Sequence, residues 1–247
     1  MRLKDIGMLL ANNVRSTAYL QALVNNNLFP SFIILIKNKE KASIGDTLPY
    51  FVQSTELKAK YFDPTKKIKD LAEFYNIKYK ILNVEDVNSD ELIGELKKSK
   101  VKYYVYSGPG GQILKNNILS IGKEFLHVHP GKVPSYRGST TIYYSIIDKD
   151  MCYASAFFLR KNIDAGPFIK EKEFPKPEDG KIIDFIYDPY IRSSLLIDVI
   201  NGYIKNDYKF LIKQQPNHNE GNYYIIHPVL KHISILSCNK KNIFPVY

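Results

Sequence analysis

Residues 31–36, SFIILI, are apolar from Phe32 onward and sit between NNNLFP and the polar run KNKEK. Such a run is too short for a buried helix. Without polar alternation it reads as a strand covered on both faces, which is what a parallel sheet flanked by helices provides. The segments before it agree: DIGMLL (5–10) reads as a strand, and TAYLQALVNNN (17–27) has apolar residues at helical spacing. Together they form a βαβ unit. The pattern then recurs. Residues 37–66 have no clean period beyond a short helix over STELKAKY. KIKDLAEFYNI is predicted as helix, YKILNV as strand, SDELIGELKKS as helix with Ser89 as its N-cap, and VKYYVYS as strand. This alternation specifies an α/β fold, a Rossmann-like open and mostly parallel sheet flanked by helices.

A hydrophobic content of 45% over 247 residues is enough for a sizeable core. No apolar run approaches the ~18 residues of a membrane span. The opening MRLKDIGMLLANN has too brief an apolar stretch for a secretory signal, so a cytoplasmic location is expected. Cys152 and Cys238 share neither metal-type nor redox-type spacing. The formal charge of +10 favours anionic partners, although KNKEK, ELKKSK and CNKKN also read as a solvated lysine-rich surface.

After VKYYVYS come Gly108, Gly110 and Gly111 in SGPGGQIL, ahead of a predicted helix, where backbone amides can approach a ligand closely. The spacing matches neither the P-loop nor the dinucleotide fingerprint. Next is EFLHVHPG. On a strand His127 and His129 project from one face while Leu126 and Val128 pack on the other. A helix over TTIYYSIIDKD, strands CYASAFFLR and FIKEKEF around the turn KNIDAGP, and a long helical stretch through DFIYDPYIRSSLLIDVINGYIK follow. The tail QQPNHNEGNYYIIHPVLKHISIL, rich in Tyr and Ile, is expected to form a short β element. The chain is expected to divide into a catalytic region, 1–175, and a small C-terminal β/α extension, 176–247.

The order YSGPGGQILKNNIL, HVHPGKVPSYRGSTTIYYSI, KNIDAGPFI resembles the folate-dependent formyltransferases, a family acting on methionyl-tRNA, glycinamide ribonucleotide or nucleotide-linked amino sugars. That family's strand ends in Asn-x-His, followed by a Leu-Pro-x-Tyr-Arg-Gly-like run and an Asp-x-Gly loop. VPSYRG (133–138) and DAG (164–166) match it. The resemblance implies transfer of a formyl group from 10-formyltetrahydrofolate to a primary amine. It makes His129 the acid/base residue and Asp164 its orienting partner, and it puts His127 at the position of the family's Asn, an oxyanion donor. Ser107, Gly108, Gly110, Gly111, Gln112 and Leu114 would line the folate pocket through their backbone.

Arg15 and Ser16, opening the first helix, are candidates to grip an anionic acceptor. Tyr136, Arg137 and Gly138 are further substrate-side candidates, with packing for Tyr136 and loop bracing for Arg137 as alternatives. Tyr223 and Tyr224 would either stack on a base or sugar or pack a small sheet. The loop ANNVRSTAY lacks the glycine pair of the glycinamide ribonucleotide enzymes, and the residues after Asp164 leave too little room for the C-terminal barrel of the methionyl-tRNA enzymes. A nucleotide-linked amino sugar is therefore the expected acceptor, with no membrane partner and with nucleic acid disfavoured. A homodimer stays open. No metal is expected. The competing readings are a metal-dependent hydrolase using His127, His129 and Asp164, a diverged or inactive relative, and a methionyl-tRNA enzyme.

Overall fold

The computed structural model describes residues 1–37, 48–215 and 224–239. Its centre is a seven-stranded sheet built from β2 (Ile6–Ala11), β4 (Ile33–Lys37), β5 (Tyr79–Asn83), β6 (Tyr103–Ser107), β7 (Glu124–His129), β8 (Met151–Phe158) and β9 (Phe168–Pro175), after a short β1 (Arg2–Leu3) that pairs with β3 (Phe29–Pro30). The order is β5-β4-β2-β6-β7-β8-β9. The first five strands run parallel, and β8 and β9 add an antiparallel edge.

The unbroken apolar run of β4 is explained by this placement. Ile33 and Leu35 enter one core cluster with α1 (Val14–Asn25) and α7 (Asp188–Lys205), while Ile34 and Ile36 enter a second with Leu92, Ile93 and Leu96 of α4 (Asp90–Lys98). Met8 and Leu10 of β2 face the first cluster and Leu9 the second. Period-two alternation is thus present, but both faces are apolar because helices cover both. Ser89 caps α4 by accepting the Leu92 amide, as predicted.

The irregular segment contributes α2 (Thr55–Lys60), and α3 (Ile68–Phe74) follows. The long helical stretch enters through a π-helical turn, Ile183–Tyr187, before α7, whose first turn holds Pro189. Two expectations are corrected. The helix after SGPGG is a single turn, α5 (Asn116–Leu119), separated from the glycines by loop. The tail is helical over α8 (Pro228–Cys238) rather than β. Pro228 pre-sets the first turn, the His227 side chain accepts the Val229 amide, and the small residues Ser234 and Cys238 bury one stripe, with Ser234 Oγ donating to the Tyr143 carbonyl of α6 (Thr141–Lys149). No helix among the described residues is long and apolar enough to cross a membrane.

Candidate active site

From β2 the chain moves outward to β4 and β5, then returns to β6 on the other side of β2 and continues to β7. The carboxyl ends of β2 and β6 are therefore a topological switch point, where the two following loops diverge and leave a crevice. Here the loops are tied together. Asn13 caps α1 through its Oδ1, which accepts the Ser16 amide at 2.9 Å, and its Nδ2 donates to the Gly108 carbonyl at 3.2 Å. Arg15 donates from Nε to Ser107 Oγ at 2.9 Å and from a terminal nitrogen to the Gly108 carbonyl at 2.8 Å, and Ser16 Oγ lies 2.8 Å from Ser107 Oγ. Burial, and after it the nearby Arg192 cation, lowers the Arg15 pKa from its ordinary value.

The glycine loop divides the candidates placed on it. A Cβ on Gly108 would fall 2.0 Å from Tyr106 Oη, whereas at Gly110 or Gly111 it would meet nothing within 4 Å. Gly111 has φ of +79°, a conformation that favours glycine. Gln112 uses its side chain elsewhere, accepting from Val87 N at 2.9 Å and donating to the Glu85 carbonyl. The Leu114 side chain is buried in the second core cluster.

One strand further along, Leu126 and Val128 of β7 join the first core cluster, and the His127 and His129 rings lie on the opposite face with centroids 6.4 Å apart. His129 is only 3% exposed. Its Nε2 lies 2.7 Å from the Tyr136 carbonyl and 3.1 Å from Thr141 Oγ1, whose own hydrogen goes to the Pro130 carbonyl. Both neighbours accept, so donor accounting places a hydrogen on Nε2. The other ring nitrogen, Nδ1, lies 3.5 Å from Asp164 Oδ2. Burial lowers the His129 pKa and the Asp164 charge pushes it back up. His127 keeps partial exposure, but its Nδ1 is sealed and has no hydrogen-bond partner. Burial first, then the Arg192 and Arg15 cations, hold its pKa well below the ordinary 6.5.

Asp164 has a left-handed backbone, φ +50°, and its Oδ2 also accepts the Gly138 amide at 2.8 Å. Gly166 closes the loop against β8. A Cβ there would sit 1.7 Å from the Phe158 carbonyl oxygen, a backbone atom that cannot step aside. Gly166→Ala is expected to cost about 1–3 kcal/mol as an overpacked contact and to move Asp164 with the loop, so activity should fall further than the melting temperature indicates. Parallel melts and rate assays check this.

No family model matches the chain. A methionyl-tRNA formyltransferase of Finegoldia magna is 24% identical over 164 residues, 66% of this chain and 51% of the relative. The chain thus spans about half the length of that relative. Among solved structures, a sugar N-formyltransferase from Shewanella sp. superimposes with a TM-score of 0.58 at 15% identity, covering 98% of this chain and 91% of its own. A sugar 3N-formyltransferase solved in the presence of dTDP and 5-N-formyl-THF gives 0.54 at 18% identity, covering 89% and 69%. The chain is related to the formyltransferases and shares their fold.

On this formyltransferase fold, Arg15, Ser16, Ser107 and Gly108 form one cluster, and His127, His129, Asp164 and Gly138 form a second beside it. The Tyr136 side chain packs on Tyr153 and donates to Asp148, and its carbonyl reaches the site. Arg137 donates to the Gln215 side-chain oxygen at 2.8 Å, rather than to the backbone carbonyl or carboxylate expected of a loop brace. Tyr224 is 82% exposed. Its backbone is anchored near the site, because its carbonyl lies 3.3 Å from Thr140 Oγ1, which also accepts the Ile226 amide at 2.9 Å. Tyr223 lies outside the described residues.

Three contributors went unread in the sequence. Asn13 has the N-cap signature of an Asn ahead of a helix and was findable. Gln215 donates to the carbonyls of Asp164 and Gly166 at 3.0 and 2.8 Å, delivered by a bridge between Lys213 and Phe168 of β9. Arg192 of α7 pairs with Asp188 through two nitrogens and donates to the Val128 carbonyl, between the two histidines, at 3.0 Å. Neither of the last two has a local sequence signal.

Proposed function

We propose that this chain transfers a formyl group from a 10-formyltetrahydrofolate donor to the primary amine of a small anionic acceptor, a nucleotide-linked amino sugar. The observation that carries the reading is the His129–Asp164 pair: one imidazole nitrogen is fixed by the Tyr136 carbonyl and the other is turned to a carboxylate, at a strand end beside the switch point. The site has hydrogen-bonding capacity left for a ligand. Of the buried side-chain polar atoms without partners among the described residues, His127 Nδ1, Tyr106 Oη and Arg137 Nε all belong to this region. The donor supplies an activated formyl carbon on nitrogen.

In the net reaction a C–N bond forms at the acceptor amine, the C–N bond at the donor nitrogen breaks, and one proton passes from the first nitrogen to the second. His129 Nδ1 is the atom available to take up and return that proton, with Asp164 stabilising its charged form. The partly exposed His127 ring stands beside it, and a ring nitrogen carrying hydrogen is a donor to the carbonyl oxygen as negative charge develops. An anionic acceptor is supported by charge. Arg15 and Arg192 place two cations beside the site, and the Asp188 carboxylate near Arg15 is already occupied by Arg192. The sugar N-formyltransferase likeness, covering nearly the whole chain, favours a sugar amine over methionyl-tRNA.

The direct test is incubation with 10-formyltetrahydrofolate and a panel of nucleotide-linked amino sugars, reading N-formyl product by mass. A folate analogue at 100 times its Kd should also stabilise the protein by about 2.7 kcal/mol. Absence of any folate-dependent shift would sink the donor assignment. Removing the oxyanion donor in His127→Ala should lower kcat about 10²–10³-fold, and His127→Asn, which restores an N–H donor, should recover most of it. Failure of Asn to outperform Ala would remove His127 from that role.

A further inference from the structure

We infer that His127, His129 and Asp164 form a binding site for a divalent transition-metal ion of the zinc or ferrous class. Each offers one ligand atom, and the three atoms lie within 4.8 Å of one another. Around a tetrahedral zinc with bonds near 2.0–2.1 Å, neighbouring ligand atoms stand roughly 3.3 Å apart. The 3.5 Å between His129 Nδ1 and Asp164 Oδ2 already meets that spacing. His127 has to close by at most roughly 1.5 Å relative to it, within reach of a ring reorientation. Two histidines and a carboxylate with an open position are the donor set of catalytic zinc and of non-haem iron sites.

Three features of the surroundings suit an ion. Because Nε2 of His129 carries the hydrogen given to the Tyr136 carbonyl, the neutral ring turns a lone pair toward carboxylate oxygens that are also acceptors. Two acceptors facing each other call for a cation between them, a proton or a metal. The same Nε2–H to carbonyl bond is the outer-shell support that metal-bound histidines usually have, orienting the ring and fixing its tautomer. His127 Nδ1, finally, is buried with no partner. The sequence reading lacked a fourth ligand, and the fold supplies none among the described residues: His227 caps α8 and His232 is exposed on it. The fourth position is left to water or substrate, as in three-ligand catalytic sites.

Metal and proton would compete for His129 Nδ1 and the Asp164 carboxylate, so zinc should inhibit formyl transfer and a chelator should relieve it. That consequence rests on the function proposed above, whereas the binding itself does not.

The test uses chelator-treated full-length protein titrated with Co²⁺ for its visible absorption and with Zn²⁺ by equilibrium dialysis. One ion per chain is expected. His127→Ala and Asp164→Asn should each weaken binding by about tenfold or more, since even outer-shell losses cost that much. His232→Ala, remote from the site, should bind as wild type. A zinc-soaked crystal of the wild type should place the anomalous peak between the three side chains, which needs no variant to fold. No binding, equal binding by His127→Ala and Asp164→Asn, or an anomalous peak elsewhere would overturn the inference. A protein that binds zinc at the triad but forms no N-formyl product would keep the metal site and refute the transferase reading. The reverse pattern would do the opposite.

Discussion

His129→Gln is expected to lower the turnover of formyl transfer by about 10²–10⁴-fold, the range that a positioned acid/base group contributes, while leaving the KM for acceptor close to wild type. Gln is the informative choice because its amide can still donate to the Tyr136 carbonyl, at present 2.7 Å from His129 Nε2, so the loop held by that bond is preserved. What disappears is Nδ1, the nitrogen facing Asp164. Turnover within tenfold of wild type would show that the proton travels by another route.

The pH profile adds a second constraint. Burial lowers the His129 pKa from 6.5 and Asp164 raises it, so the acid limb, where the ring protonates and stops accepting, should lie below 6.5. Asp164→Asn removes the raising influence and should move that limb to lower pH while reducing kcat. A limb that moved upward would mean that Asp164 does not act on His129 through charge. For stability the sign is fixed in the same way. His127, with a pKa held well below 6.5, binds a proton more readily unfolded than folded. Its contribution is therefore intact above about pH 6.5 and is lost as the pH falls below that value.

The extent to which this was legible in the sequence follows from the range of the interactions involved. SFIILI could be placed in a doubly covered strand because burial on both faces leaves a local signature, and Ser89 could be placed as a cap because an N-cap acts within three residues. The His127–His129 pair was visible for the same reason, since i and i+2 share a strand face. Asp164 was found only through the motif order of a resembling family, because its side chain reaches Gly138 and His129 across the fold. The misread tail shows the opposite failure. Its Tyr and Ile content favours strand, yet Pro228, the His227 cap and the burial of Ser234 against α6 override that weak preference. Gln215 and Arg192 act on backbone carbonyls distant in sequence, and any residue bearing a suitable donor would have satisfied the same local pattern.

Asp188→Asn should be the most destabilising of the substitutions considered, by about 3–5 kcal/mol, the usual cost of leaving a buried charge without its partner. Arg192 is 8% exposed and gives two nitrogens to the Asp188 carboxylate, and its third donates to the Val128 carbonyl. With the carboxylate gone the guanidinium keeps the Val128 carbonyl and the Tyr19 hydroxyl, both neutral, and no opposite charge, in a place that water reaches poorly. At about 2–4 °C per kcal/mol for a chain of this size, the melting temperature should fall by roughly 10 °C, measurable by calorimetry.

The double variant Asp188→Leu with Arg192→Met removes both charges and should recover much of the loss, because a buried pair is stabilising chiefly relative to one broken partner. The same double variant separates stability from chemistry. Arg192 is among the cations that depress both His127 and His129. Losing it should raise both pKa values, by less at His129 because the Asp188 charge that raises the pKa there is lost with it, so the acid limb of the activity profile should move a little toward neutral pH in a protein of nearly normal stability. If stability recovers and the limb stays in place, Arg192 only buttresses β7; if both change together, the ion pair under the strand also sets the protonation state of the histidines above it.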